Sequence, residues 1–345
     1  DGREYVLFSS SNYLGLAGHP VVAEAAASAI GRYGTGSGGS RLTTGSTDLH
    51  AQVEADFARF LGYEDAVFFS AGFLANTGVL QTLAAPGTLI LSDERNHASI
   101  IDGCRLAKAS GAAVSVYRHR DPSHVDELLG RHDGNALVVT DGLFSMDGTL
   151  ALVPELLAVC RAHGAALMVD DAHGTGTLGA TGRGIIEHFE LRDDLPDILV
   201  ATASKALGVE GGAVAASAPV AALLRQKARP FVYSTSSTPS TCAAVSAAVG
   251  VLEGGQSPVA ALHRNIQRLS AHLGMDRWPS PIIPVPIGDE ASAVRASAAL
   301  RDAGYFVPAI RWPTVPRGEA MLRVTVMATH TDEQIDGLAN AISRL

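Results

Sequence analysis

"MVDDAHGTGTLG", residues 168–179, sets two carboxylates and an imidazole directly behind an apolar run. That run, Ala165-Ala166-Leu167-Met168-Val169, reads as a buried strand ending at Asp170, because short apolar runs bounded by turn residues mark strands covered on both faces. Charges at the end of a buried strand need a partner. The partner is a metal, a proton waiting to be moved, or an organic cofactor.

On either side of this stretch the same punctuation recurs. "DAVFFS" (65–70), "GTLILSD" (87–93), "AAVSVYR" (112–118), "ALVVTDG" (136–142), "DILVATAS" (197–204) and "GGAVAAS" (211–217) read as strands, like "ALMVDDA" (166–172). Helical stretches such as Pro154–His163 lie between several of them. Apolar strands separated by helices predict an α/β fold whose large domain is built on a mostly parallel central sheet. Such sheets take ligands in the crevice beyond the strands' carboxyl ends. Near residue 250 the pattern changes. "PIIPVPIG" (281–288), a helix-like "ASAVRASAALRDAG" (291–304), "YFVPAIR" (305–311) and "LRVTVMA" (322–328) predict a smaller α+β domain, joined through a helix around 237–253. The expected divisions are an N-terminal segment 1–18, a large domain 19–248 and a small C-terminal domain 249–345.

At 345 residues the chain is long enough for a substantial core. Its formal net charge of -9 argues against nucleic acid or an anionic membrane as main partner, since both favour basic surfaces. No apolar stretch approaches the roughly 20 residues that span a bilayer, and no basic, apolar leader is seen. A soluble cytoplasmic protein is expected. Cys104, Cys160 and Cys242 are scattered and odd in number. That fits a reducing compartment and partly buried thiols, not a disulfide framework or a zinc spacing. The chain starts at Asp1 without methionine, so a preceding native segment is expected.

Lys205 stands in "ATASKALGVEGG", just past an apolar strand and among small residues that offer little solvated helix face. A lysine held there has a lowered amine pKa, which suits imine chemistry. A carboxylate, a histidine and a lysine at neighbouring strand ends meet the needs of pyridoxal phosphate. The lysine forms the imine, and the carboxylate keeps the pyridine nitrogen protonated so that the ring accepts electrons. Its phosphate needs N–H groups at a helix start, and "SAGFLANTG" (70–78) supplies a small-residue turn after the strand "AVFF". Two other readings of "DDAH" stand beside this one. A metal would need further ligands, with only His97 and His163 as candidates, and a structural Asp–His pair would need none. His97, in "SDERNHASIID", follows another strand end, and stacking on a ring or moving a proton are its expected roles.

The blocks "SNYLGL" (11–16), "GTGSGGSRLTTGSTDLHAQVEADFARFLG" (34–62), "FFSAGFLANTG" (68–78), "DERNHASIIDGCRLAKA" (93–109), "DGLFSMDGTLALVPEL" (141–156), "MVDDAHGTGTLGATGRG" (168–184), "TASKALG" (202–208) and "RWPTVPRGEAMLRVTVMATHT" (311–331) follow one another along essentially the whole chain. In that order they resemble the α-oxoamine synthases, pyridoxal-phosphate enzymes of fold type I. The resemblance implies the role of each matching residue. Lys205 matches the imine-forming lysine, Asp170 the partner of the pyridinium nitrogen, and His173 the group bonded to the ring hydroxyl. His97 matches the imidazole stacked over the ring, near the substrate. Gly72 and Phe73 match the phosphate-binding turn, with Thr202 adding a hydroxyl and Ser145 another cofactor contact. Thr235 matches a phosphate ligand donated across a homodimer interface. Asn12, Thr314 and Arg323 match substrate-side positions, Arg323 holding the amino-acid carboxylate. No metal is expected.

Within the family, "GTGSGGSRLTTG" and "WPTVP" look most like the branch that condenses L-alanine with a pimeloyl thioester, on coenzyme A or a carrier protein, to 8-amino-7-oxononanoate in biotin synthesis. Another member, joining glycine or serine to a different acyl-CoA, is the first alternative. An aminotransferase or decarboxylase on the same fold is the second. Two features depart from the family or stay outside its chemistry. Trp312 stands where proline is common, with neutral packing or a changed acyl preference as the expected readings. Asp171 is expected to help backbone or neighbouring polar groups.

Overall fold

The computed structural model describes residues 2–255 and 257–345. Asp1 and Gln256, which fall within the expected domain ranges, lie outside the described residues. In chain order the strands are β1 (Val6–Leu7), β2 (Asp65–Phe69), β3 (Leu89–Asp93), β4 (Ala113–Tyr117), β5 (Ala136–Asp141), β6 (Ala166–Asp170), β7 (Ile198–Thr202), β8 (Gly212–Ala216), β9 (Ile282–Gly288), β10 (Tyr305–Phe306), β11 (Ala309–Ile310) and β12 (Ala320–Thr325).

Strands β2 to β8 form a 7-stranded sheet in the order β2-β8-β7-β6-β5-β3-β4. Only β8 runs against its neighbours, and every other pairing is parallel. These are the stretches read as strands between residues 65 and 217. They are apolar throughout because both faces are covered. Leu167 and Val169 enter one core with Phe57, Leu156 and Val245, while Met168 enters the other with Val79 and Ile100. Alternate side chains point to opposite faces of a strand, so each face needs its own apolar set.

The parallel order brings the carboxyl ends of β2, β3, β5, β6 and β7 to one edge of the sheet. Register then pairs Asp141 with Asp170, and Asp170 with Val200. A second sheet has the antiparallel order β11-β12-β9, and β1 pairs parallel with β10. Pro284 and Pro286 are tolerated in β9 because it is an edge strand.

The stretch "YFVPAIR" divides between β10 and β11, which belong to different sheets. Pro308 lies between them; it has no N–H to donate to a ladder and restricts the backbone of Val307. Its carbonyl is still used, accepting from the Arg323 N–H at 3.1 Å.

The three cysteines are buried and unpaired. Burial pushes the Cys104 thiol up to about 11 and those of Cys160 and Cys242 to about 12, which makes them packing groups, not nucleophiles. Among the described residues no helix is long and apolar enough to cross a membrane.

Candidate active site

A cavity of about 240 Å³ opens beyond the carboxyl ends of the parallel strands. Gly72, Phe73, His97, Ser145, Asp170, His173, Thr202 and Lys205, all predicted from the sequence, line it. Arg323, on β12, stands behind this wall: its Nε donates to the Ser145 carbonyl at 2.5 Å, and its charge reaches Lys205 and His173. Asn12, Thr314 and Thr235 do not line the cavity. The Asn12 amide oxygen accepts from the Ala17 N–H at 3.2 Å. Thr314 is exposed on the turn after Arg311. Thr235 is exposed and bridged to Ser40.

Each wall of the cavity has a local cause. The helix Gly72–Leu83 starts at Ala71, which has no side chain to cap it. Ala75 is the first residue to bond back, to the Ala71 carbonyl at 3.1 Å, so the N–H groups of Gly72 and Phe73 precede the helical ladder. Such a start attracts anions. Beside it, the Thr202 hydroxyl donates to the Gly211 carbonyl at 3.0 Å and lies 2.8 Å from Ser204 Oγ. His97 caps the helix Ala98–Ala109, its Nδ1 accepting from the Ser99 N–H at 3.2 Å.

At the end of β6, Asp170 Oδ1 accepts from the Ala172 N–H at 3.0 Å and Oδ2 from Asn76 Nδ2 at 2.5 Å. His173 Nδ1 lies 2.7 Å from the Tyr13 hydroxyl. Burial draws the His173 imidazole well below its ordinary value, with the charges of Lys205 and Arg323 adding to it. It also lowers the Lys205 amine, against the pull of Asp170 and Asp141. Asp141 moves the other way: burial, then the nearby Asp170 charge, holds its carboxyl well above the usual range. Two carboxylates on adjacent strands do not both ionise readily in a buried site. Asp141, Asn76, Ser99, Ser204 and Tyr13 escape reading from the sequence. They lie inside the quoted blocks, and no spacing singles them out.

Asp171 gains a structural role. Its Oδ2 accepts from Thr175 Oγ1 at 3.0 Å and from the Ile185 N–H at 3.1 Å, and its own N–H donates to the Val200 carbonyl at 2.7 Å. The carboxyl lies so close to Gly174 and Gly184 that a Cβ at either would collide with it, and Gly184 has φ +82°. The glycines of the loop therefore make room for a buried acid that ties the end of β6 to the segment carrying His173. Burial raises this carboxyl to about 8 from 3.8. Between those values the unfolded chain binds fewer protons here than the folded one, so the stability contributed by the neutral acid is complete below about pH 3.8 and is lost as pH rises toward about 8. Urea midpoints across that window should fall with pH more steeply in the wild type than in Asp171→Asn. Equal slopes would refute the assignment.

A family profile described as aminotransferase class I and II matches residues 3–342. The chain belongs to that family. Within it, the chain is an α-oxoamine synthase by its full-length relatives. It is 44% identical to the 8-amino-7-oxononanoate synthase of Geobacter sulfurreducens, covering 100% of this chain and 90% of that one. It is 46% identical to the biotin biosynthesis bifunctional protein BioWF of Corynebacterium kroppenstedtii, and spans 54% of that longer protein. Among solved structures, a variant of the serine palmitoyltransferase from S. paucimobilis, with a bound PLP–myriocin adduct, superposes with a TM-score of 0.94 at 32% identity. That match covers 99% of this chain and 87% of the other.

For an α-oxoamine synthase the cavity must suit pyridoxal phosphate, and the residues present fit. An uncapped helix start with a threonine hydroxyl beside it answers a phosphate, an acceptor carboxylate answers a protonated ring nitrogen, and a buried amine of lowered pKa answers an aldehyde. The fit covers all three ends of the group.

Proposed function

We propose that the chain catalyses the decarboxylative condensation of L-alanine with a pimeloyl thioester, on coenzyme A or a carrier protein, to 8-amino-7-oxononanoate for biotin synthesis. The observation that carries this reading is the gathering of Lys205, Asp170 and Arg323 around one cavity in a chain whose full-length relatives bear that name. Bound pyridoxal phosphate would supply an electron sink for the charge left at the amino acid's Cα when its proton departs. Gly72, Phe73, Thr202 and Ser145 would bind it, Asp170 would hold a proton on its ring nitrogen, and His173 would bond its hydroxyl.

Lys205 would carry the group on Nζ and, once displaced by the amino acid, take the Cα proton; burial lowers its amine toward that task. Arg323, its Nε held by the Ser145 carbonyl, would present its remaining fork to the substrate carboxylate. Orientation matters because the bond broken must line up with the ring's π system. The new bond joins Cα to the acyl carbon as the thioester C–S bond breaks and the thiol leaves with a proton. Cα then loses its carboxyl group as carbon dioxide and regains a proton. Asn12 and Thr314 are assigned to the substrate side on the family resemblance. The working form is a cytoplasmic homodimer with shared sites, in which Thr235, exposed and outside its own chain's cavity, serves the partner's phosphate.

Serine with a long-chain acyl thioester is the second reading, favoured by the likeness to serine palmitoyltransferase. A mass-spectrometric product assay separates the two: alanine, glycine and serine against pimeloyl-, acetyl- and palmitoyl-CoA, with thiol release followed in parallel. Alanine with pimeloyl-CoA should be fastest and release one thiol per product. Faster turnover of any other pair would overturn the assignment. A keto acid formed without thiol release would place the chain among the aminotransferases by activity.

A further inference from the structure

A chain of side-chain hydrogen bonds links Asp170 to His97, and its direction is forced from one end. The Asp170 carboxylate only accepts, with a donor at each oxygen, so the atom of Asn76 facing it at 2.5 Å must be the amide nitrogen. The same Nδ2 lies 2.9 Å from Ser99 Oγ, so the serine hydroxyl accepts there. Its own hydrogen is left for the next neighbour, His97 Nδ1, at 2.8 Å. The Ser99 backbone N–H points at that same nitrogen from 3.2 Å. Two donors therefore converge on Nδ1, which cannot itself carry a proton without displacing them. Asn76, Ser99 and Asp170 are buried, so no solvent competes for that part of the chain, while the His97 ring opens on the cavity.

We propose that Asn76 and Ser99 are positioning residues that lock His97 as the neutral imidazole with its proton on Nε2. His97 thus offers the cavity a hydrogen-bond donor for a substrate oxygen, and not a base. Only the identity of that oxygen rests on the proposed function; the tautomer does not. Asp170, from β6, faces the imidazole with Lys205 and His173 from the turns after β7 and β6, while Asp141, from β5, accepts from the His97 backbone N–H at 3.4 Å. Burial and the Lys205 charge disfavour imidazolium, while Asp170 opposes them.

The test is 15N spectroscopy of histidine-labelled holoenzyme at neutral pH, with the His97 signals assigned by their loss in His97→Gln. A pyridine-type Nδ1 and a pyrrole-type Nε2 are expected. Asn76→Leu frees the Ser99 hydroxyl to turn and accept from a protonated Nδ1. The His97 titration midpoint should then rise by about one pH unit, the worth of one hydrogen bond, and the two nitrogen shifts should converge. Ser99→Ala removes the hydroxyl and keeps the backbone donor, so the same change should occur with smaller size. A wild-type imidazolium, a proton on Nδ1, or unchanged His97 nitrogens in both variants would overturn the proposal. The product assay fails or succeeds separately: a locked tautomer with no condensation product counts against the proposed function alone.

Discussion

Lys205→Ala should lose turnover by at least about a thousandfold while the protein still folds and takes up pyridoxal phosphate. The side chain lies in the cavity among groups of both signs, Asp170 and Asp141 raising its amine pKa, burial and Arg323 lowering it. Burial wins, so a larger fraction of the amine is neutral at working pH and able to attack an aldehyde or accept a proton. Truncation to alanine removes both tasks and leaves the sheet untouched, since Lys205 follows β7 and is not part of it. The check needs two measurements on holoenzyme. Steady-state turnover gives the loss, and borohydride reduction followed by peptide mass spectrometry locates the covalent attachment. Wild-type protein should carry a phosphopyridoxyl group on the peptide containing Lys205, and the variant should carry none. A variant that keeps a tenth of the activity would rule out the role.

Asp170→Asn should lower kcat by about 10²–10³-fold, the size found when a fixed electrostatic partner of a developing charge is removed. Asparagine has the same shape and leaves the strand pairing of β6 with β5 and β7 in place. The charge goes, and one acceptor oxygen becomes an NH2 that meets a donor, Asn76 Nδ2 or the Ala172 N–H. Without it nothing in the cavity holds a proton on a pyridine nitrogen, and the bound ring withdraws electrons less well. The loss should fall on kcat more than on KM, because the charge matters most where electrons move onto the ring. Cofactor uptake, read by absorbance during titration with pyridoxal phosphate, should persist. If kcat is unchanged and only uptake fails, Asp170 is a binding group and the electronic role is wrong.

The fold was largely legible in the sequence for a reason seen in the cores. Each strand of the large sheet feeds both faces, so its residues are apolar without interruption and stand out against the helical segments. The stretch 305–311 was less legible, since its apolar run includes Pro308, where the backbone leaves one sheet for another. The candidate site was legible where chemistry is concentrated at strand ends. Asp170, His173 and Lys205 follow apolar runs directly, and a parallel sheet sends those positions to a single edge.

The limits of sequence reading follow from the same geometry. Asp171 was legible as an acid in a glycine-rich stretch, but its neutral, buried state was not. That state comes from burial, which two glycines allow by closing around the carboxyl, and it holds against the Ile185 N–H, which favours the charged form. Tyr13 meets His173 across 160 residues, and Asn76 meets Asp170 across 94. No local periodicity records such pairs, because a contact at that separation is made by the packing of elements and not by neighbours along the chain. The sequence by itself thus determined the strands of the large sheet, the edge to which their polar ends are sent and the candidates Asp170, His173 and Lys205 there. Tertiary structure alone decided which hydrogen bonds aim those groups, since direction and protonation are properties of buried pairs.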